Sequence, residues 1–110
     1  MALVYKVLGQ SNPSATTATT LYTVPASKEA VVSSISICNL ASSSATYRIA
    51  VRPSADGSTA AKHWIVYGAT VGGSDSTALT LGLTLATGDK VKIYASTANI
   101  SFSAFGSEIA

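Results

Sequence analysis

Few side chains in this sequence could do chemistry. There is one histidine, one cysteine and five carboxylates in 110 residues. Nucleophilic catalysis needs a base beside the nucleophile, usually a histidine held by a carboxylate. His63 stands next to the bulky Trp64 in a strand-like run, and with 17 serines in the chain a serine near it carries no information. A metal site needs several His, Cys or carboxylate ligands at matched spacing. Glu29, Asp56, Asp75, Asp89 and Glu108 are scattered, and the three aspartates sit in or beside glycine turns, where aspartate is an ordinary turn residue. The same scatter gives no reason to expect paired carboxylates across a cleft for glycoside hydrolysis. Cys38, between Ile37 and Asn39, lacks a cationic neighbour to activate it and reads as a small buried hydrophobe. Gly72-Gly73 precedes no helix and is no phosphate loop. Asn99-Ile100-Ser101 fits the glycosylation acceptor pattern, a chance match in a Ser-rich chain. The expectation is a protein without catalytic, cofactor-binding or metal-binding residues, and no enzyme.

Two pairs remain that could bind rather than react. Arg48 and Arg52 share a strand face and are either solvated or bridge to carboxylates of a neighbouring subunit. Trp64 and Tyr67 could be core, interface rim or a platform for a ligand such as a sugar, and the core reading is favoured.

The elements that would position them are all strands. Leu3 to Leu8 reads as a short strand or an arm, followed by a loop from Gly9 to Thr17. Thr19 to Val24 is a second strand, ended by a turn from Pro25 to Lys28. Glu29 to Asn39 is a third, with Val31, Ile35 and Ile37 on one face and Val32 and Cys38 on the other. Ala41 to Ser44 is a turn. Ala45 to Pro53 follows as a strand, Tyr47, Ile49 and Val51 inward and Thr46, Arg48, Ala50 and Arg52 outward. After a surface loop to Ala60, Lys62 to Val71 is the fifth strand. The stretch from Thr77 to Phe105 then reads as a three-stranded meander. Leu79, Leu81, Leu83 and Leu85 occupy alternate positions; Val91, Ile93 and Ala95 alternate with Lys90, Lys92 and Tyr94; Ile100, Phe102 and Ala104 alternate with serines and Phe105. No helix is expected beyond one loose turn between Ala55 and Lys62, because Ser, Thr and Val disfavour helix interiors and no capping box opens an apolar helical pattern.

About eight short strands spaced by turns predict an all-β protein, an antiparallel β-sandwich, with the jelly roll as the best-fitting type. An immunoglobulin-like sandwich is the alternative, and it lacks a Cys pair around the single tryptophan. The expected organisation is an N-terminal strand or arm with its loop over residues 1–17, then one sandwich domain over 18–110.

Composition narrows the partners. Serine and threonine supply 30 residues and alanine 18, while charged residues are only 11%. So little charge protects a small domain poorly against association, which points to a homo-oligomer. A net charge of +2 is too weak to imply a nucleic-acid partner. The single cysteine excludes an internal disulfide. MALVYKVLGQ has no basic segment followed by a long apolar run, and no stretch is long and apolar enough for a transmembrane helix, so neither secretion nor a membrane is expected.

Several stretches taken together resemble a known family. They are YKVLGQ (Tyr5 to Gln10), LYTVPASKEAVVSSISICN (Leu21 to Asn39), YRIAVRP (Tyr47 to Pro53), KHWIVYG (Lys62 to Gly68), ALTLGLTLATGDKVKIYAS (Ala78 to Ser96) and ISFSAFGSEI (Ile100 to Ile109). The pattern resembles small virion structural proteins of tailed bacteriophages. That resemblance implies a homotrimeric capsid decoration (cement) protein, made in the host cytoplasm, bound to the major capsid protein or other virion proteins on the capsid surface, with no catalytic residue to carry over. It equally admits a tail, baseplate or fibre component contacting the host surface, although the loops carry no aromatic residues for such contact. A carbohydrate-binding module built on Trp64, Tyr67 and a loop aspartate is the third expectation.

Overall fold

The structure, a computed structural model, describes residues 2–110. The protein is all-β. Eight strands form: β1 (Leu3–Ser11), β2 (Thr19–Thr23), β3 (Glu29–Asn39), β4 (Ala45–Arg52), β5 (Trp64–Val71), β6 (Ser76–Leu85), β7 (Lys90–Ala95) and β8 (Ile100–Ile109). The only helical piece among the described residues is a 3-10 turn at Ala61–His63, and no helix is long and apolar enough to cross a membrane.

The strands make two antiparallel four-stranded sheets, ordered β1-β8-β3-β6 and β2-β7-β4-β5. Four pairings are nested in sequence: β4 with β5, β3 with β6, β2 with β7 and β1 with β8. Two more, β3 with β8 and β4 with β7, close each sheet. The chain therefore changes sheet at every connection except the β4–β5 hairpin. This overturns the expected meander, because β6, β7 and β8 do not pair with one another; each pairs with a strand from the first half of the chain. Alternation within a strand records which face is buried, not which strand lies beside it.

Alternating apolar residues from both sheets meet in one core. Val32, Ile35 and Ile37 of β3, Ile49 of β4, Val91 and Ile93 of β7, and Ile100 and Phe102 of β8 are wholly or almost wholly buried. The Tyr47 and Phe102 rings meet edge to face across the sandwich, with centroids 6.2 Å apart. Of the four β6 leucines only Leu85 is fully buried; Leu79, Leu81 and Leu83 are half-buried, because β6 is a sheet edge.

Four details depart from the sequence reading. Strand β5 begins at Trp64, so Lys62 and His63, expected in that strand, belong to the 3-10 turn. A β-bulge between Val32 and Ser34 inserts an extra residue, so Ala30 and Val32 share the inner face with Ile35 and Ile37 while Val31 turns outward. Strand β8 continues through Gly106 to Ile109 rather than stopping at Phe105. The first segment is a strand and not a loose arm: it runs to Ser11 and is paired with β8 along its length, so the loop begins at Asn12 rather than Gly9. Met1 lies outside the described residues.

Candidate functional site

The two outer sheet faces differ sharply in chemistry, and the more functional-looking one belongs to β2-β7-β4-β5. Directly paired residues of an antiparallel sheet project from the same face. Arg48 of β4 pairs with Tyr94 of β7 on one side and Tyr67 of β5 on the other. Its guanidinium lies between the two rings, 4.1 Å from the Tyr67 centroid and 4.3 Å from that of Tyr94, with the Trp64 ring at 5.9 Å. Trp64 in turn meets Tyr67 edge to face at 5.3 Å. The stacking holds Arg48 in place while its planar edge keeps its capacity for an anion.

One row further along β4, Ala50 pairs with Lys92 and Trp64, whose long side chains explain why this outward alanine is fully covered. In the next row Arg52 pairs with Lys90. Burial pushes the Lys92 ammonium below the usual lysine value, and the charges of Arg52 and Lys90 push it further in the same direction. The three cations therefore share one electrostatic neighbourhood. No ion pair among the described residues involves Arg48, Arg52, Lys90 or Lys92; the pairs are Lys6 and Lys28 with Glu108, and Lys62 and His63 with Asp56. No Asp, Glu, Asn or Gln projects from this face.

The outer face of β1-β8-β3-β6 is the opposite. Leu3, Tyr5 and Val7 of β1 stand beside Ile109, Ser107 and Phe105 of β8, and Ser107 is flanked in turn by Val31 of β3. Tyr5 is 79% exposed, and Leu3, Val7 and Phe105 are exposed too. Tyr5, Val7, Val31 and Phe105 line a shallow hollow. The rest of the face is Gln10, Ser33, Ser34, Ser36, Ser76, Ala78, Thr80, Gly82, Thr84, Ser101, Ser103 and the half-buried Cys38, with Glu29 its single charged strand residue. Cys38 is thus not the core residue expected of it. Thr80, Gly82 and Thr84 are exposed, and nothing lies within 4 Å of a Cβ built on Gly82. No further layer of the described residues packs there.

The remaining candidates are structural. His63 is 4% exposed, accepts the Ala60 N–H at Nδ1 (2.8 Å) and donates from Nε2 to Asp56 (2.8 Å). With Nδ1 and Nε2 both engaged, no ring nitrogen is left for a substrate. Asp56 is held below the usual carboxylate range by that hydrogen bond first, with Lys62 adding to it. The pair ties the loop between β4 and β5 to the 3-10 turn. Asp89 accepts the Ser54 and Ala86 N–H groups (both 2.9 Å), and Asp75 accepts Ser76 N–H (2.8 Å), as turn aspartates do. Among the described residues no three His, Cys, Asp or Glu side chains gather as metal ligands.

Sequence reading brought Arg48, Arg52, Trp64 and Tyr67 forward in two separate pairs and favoured the core for the aromatic pair; the structure overturns that placement, since Tyr67 is exposed and Trp64 half-buried on the outer face of β5, and joins all four into one surface. It missed Lys90, Lys92 and Tyr94 as members. Their alternation against Val91, Ile93 and Ala95 marked them as outward-facing, but only the β4–β7 pairing places them beside the arginines. Comparison with protein-family models, curated proteins and solved structures finds no match.

Proposed function

We propose that this chain is a non-enzymatic structural protein that acts by assembling with copies of itself through the outer face of the β1-β8-β3-β6 sheet. One observation carries the reading: that face exposes a contiguous Leu3, Tyr5, Val7 and Phe105 stripe, and its remaining strand side chains are uncharged apart from Glu29. Four strands about 4.8 Å apart and about 30 Å long present roughly 600 Å². That approaches the roughly 800 Å² per partner of a stable interface. The nested pairing of β4–β5, β3–β6, β2–β7 and β1–β8 supports reading the sandwich as a jelly roll, a long two-stranded ribbon rolled on itself. The setting we propose follows the sequence resemblance: a homotrimer on the capsid surface of a tailed phage, stabilising the shell by covering junctions of the major capsid protein.

Light scattering of the purified chain tests the assembly. The wild type should run as an oligomer, and Val7→Lys with Thr80→Lys should shift it towards monomer. A wild type that stays monomeric at high micromolar concentration, and is absent by mass spectrometry from purified particles, would sink the proposal.

A further inference from the structure

The opposite face makes a different offer. Averaged over the chain the charge is only +2, yet four of the seven Lys and Arg residues stand together on the outer face of β2-β7-β4-β5, with no carboxylate among them. The cations occupy rows along the sheet: Arg48 with Tyr94 and Tyr67, then Lys92 and Trp64 on either side of Ala50, then Arg52 with Lys90. Neighbours within a row are about 5 Å apart and rows about 6.6 Å apart, so the array is a short ladder of positive charge edged by aromatic rings. Tyr67 is 64% exposed, and with Trp64, Thr59, Ala60 and Ala61 it lines a shallow hollow at the side of that ladder.

We propose that this face binds single-stranded nucleic acid, with Arg48, Arg52, Lys90 and Lys92 on the phosphates and the Tyr67 and Trp64 rings stacked on unpaired bases.

Three considerations select this ligand. Cations on a sheet face that carries no carboxylate set up a field that attracts a polyanion, and Asp89, at the end of the Arg52–Lys90 row, is taken up by the Ser54 and Ala86 N–H groups. Aromatic rings on a flat sheet beside those cations form the kind of platform on which bases stack without regard to sequence. A duplex keeps its bases stacked on one another and out of reach of such rings. A neutral or acidic sugar polymer fits less well, since sugar hydroxyls are bound by carboxylate and amide side chains and this face has none. An acidic protein is the other rival. The cation–aromatic array spans three strands, about 14 Å by about 20 Å, under 300 Å² and less than half what one side of a stable protein interface buries. A linear polyanion needs no such area.

The test uses the full chain and a fluorescent oligothymidine of about 15 nucleotides, followed by anisotropy over a salt series. Four phosphate contacts predict a slope of log affinity on log salt near −2.8, at about −0.7 per contact for single strands. Arg52→Gln with Lys90→Gln should halve it to about −1.4. Tyr67→Ala should weaken binding about tenfold with the slope unchanged, and oligothymidine should quench Trp64 fluorescence in the wild type. A duplex of the same length should bind more weakly than the single strand. Circular dichroism melts confirm that each surface variant is folded. No binding at about 20 mM salt overturns the proposal. So does equal binding of oligothymidine, duplex and polyglutamate with no effect of Tyr67→Ala, which would mark the face as a general polyanion or acidic-protein surface. Because these variants lie on the sheet opposite to the assembly face, they should leave the oligomeric state unchanged, and the two readings can fail separately.

Discussion

Replacing Glu108 by glutamine should lower stability by about 1–2 kcal/mol at neutral pH and flatten the acid limb of the stability curve. The carboxylate is 3% exposed near the end of β8. Its Oε2 accepts the Tyr22 hydroxyl from β2, and its Oε1 accepts Lys6 from β1 at 3.2 Å, with the Lys28 ammonium 3.7 Å away. One side chain therefore ties β1, β2 and β8 together at one end of the sandwich. The lysines are 45% and 39% exposed, so each ion pair contributes at most about 1 kcal/mol. The dry Tyr22 bond to a charged acceptor is worth about 1.5–3 kcal/mol, and glutamine keeps it in a weaker neutral form. Glu108→Ala leaves the Tyr22 hydroxyl buried without a partner and should lose about 3 kcal/mol. The Tyr22 bond foremost, then Lys6 and Lys28, hold the Glu108 carboxyl below its ordinary value, whereas burial and the Glu108 charge raise the Tyr22 hydroxyl. A carboxyl with a depressed folded value stabilises the fold above its unfolded value of about 4.3 and loses that contribution as pH falls through the folded value. Urea denaturation at pH 7 and at steps down to about pH 3 reads both effects. Wild type and Glu108→Gln with parallel stability curves over that range would refute the reasoning, since the charge would then be contributing nothing.

Two further expectations concern positions away from this node. Gly106→Ala would drive a Cβ into the Val31 carbonyl oxygen across the β3–β8 ladder and should cost about 2–3 kcal/mol, whereas Gly82→Ala meets open space on β6 and should be neutral or up to about 1 kcal/mol stabilising; paired urea midpoints check the contrast. Asp56→Asn weakens the His63 hydrogen bond and the tie to Lys62, so proteolytic nicking between Pro53 and Ala60 should speed up severalfold while the rest of the fold stays intact; unchanged cleavage would show the loop is held otherwise.

Much of this architecture was legible in the residues. Glu29–Asn39 has the same ends in sequence and structure, because a turn sits at Pro25 to Lys28 and the Asn39 amide closes the far end, donating to the Ser43 and Val71 carbonyls. Its inner face was not legible. The bulge at Ser33 moves every residue before it by one position, and nothing in a run of Val and Ser announces an unpaired residue. Pairing partners were hidden for a related reason: strands of similar pattern are interchangeable until turn lengths and core volume decide among them. The binding face shows the consequence. Arg48 and Arg52 could be placed together from their spacing on one strand, but Lys90, Lys92 and Tyr94 join them only through long-range pairing, and Trp64 and Tyr67 reach Arg48 through two irregularities in the β4–β5 register.

The nested pairing also favours an order of events. The β4–β5 hairpin is the one pair of consecutive strands that joins directly, across a connection over residues 53–63 that carries the 3-10 turn. Once it exists, β3 and β6 are brought within reach at little further entropic cost, then β2 and β7, and last β1 and β8. The route is a zipper running outward from the middle of the chain, and every later step is slow if the first is missing. Substitutions in the β4–β5 hairpin should therefore slow folding, whereas those in β1 should mainly speed unfolding. The β1 strand, which carries the exposed Tyr5 and Val7, would be the last to dock, so a refolding chain would show its apolar β8 edge to other copies before it could cover it.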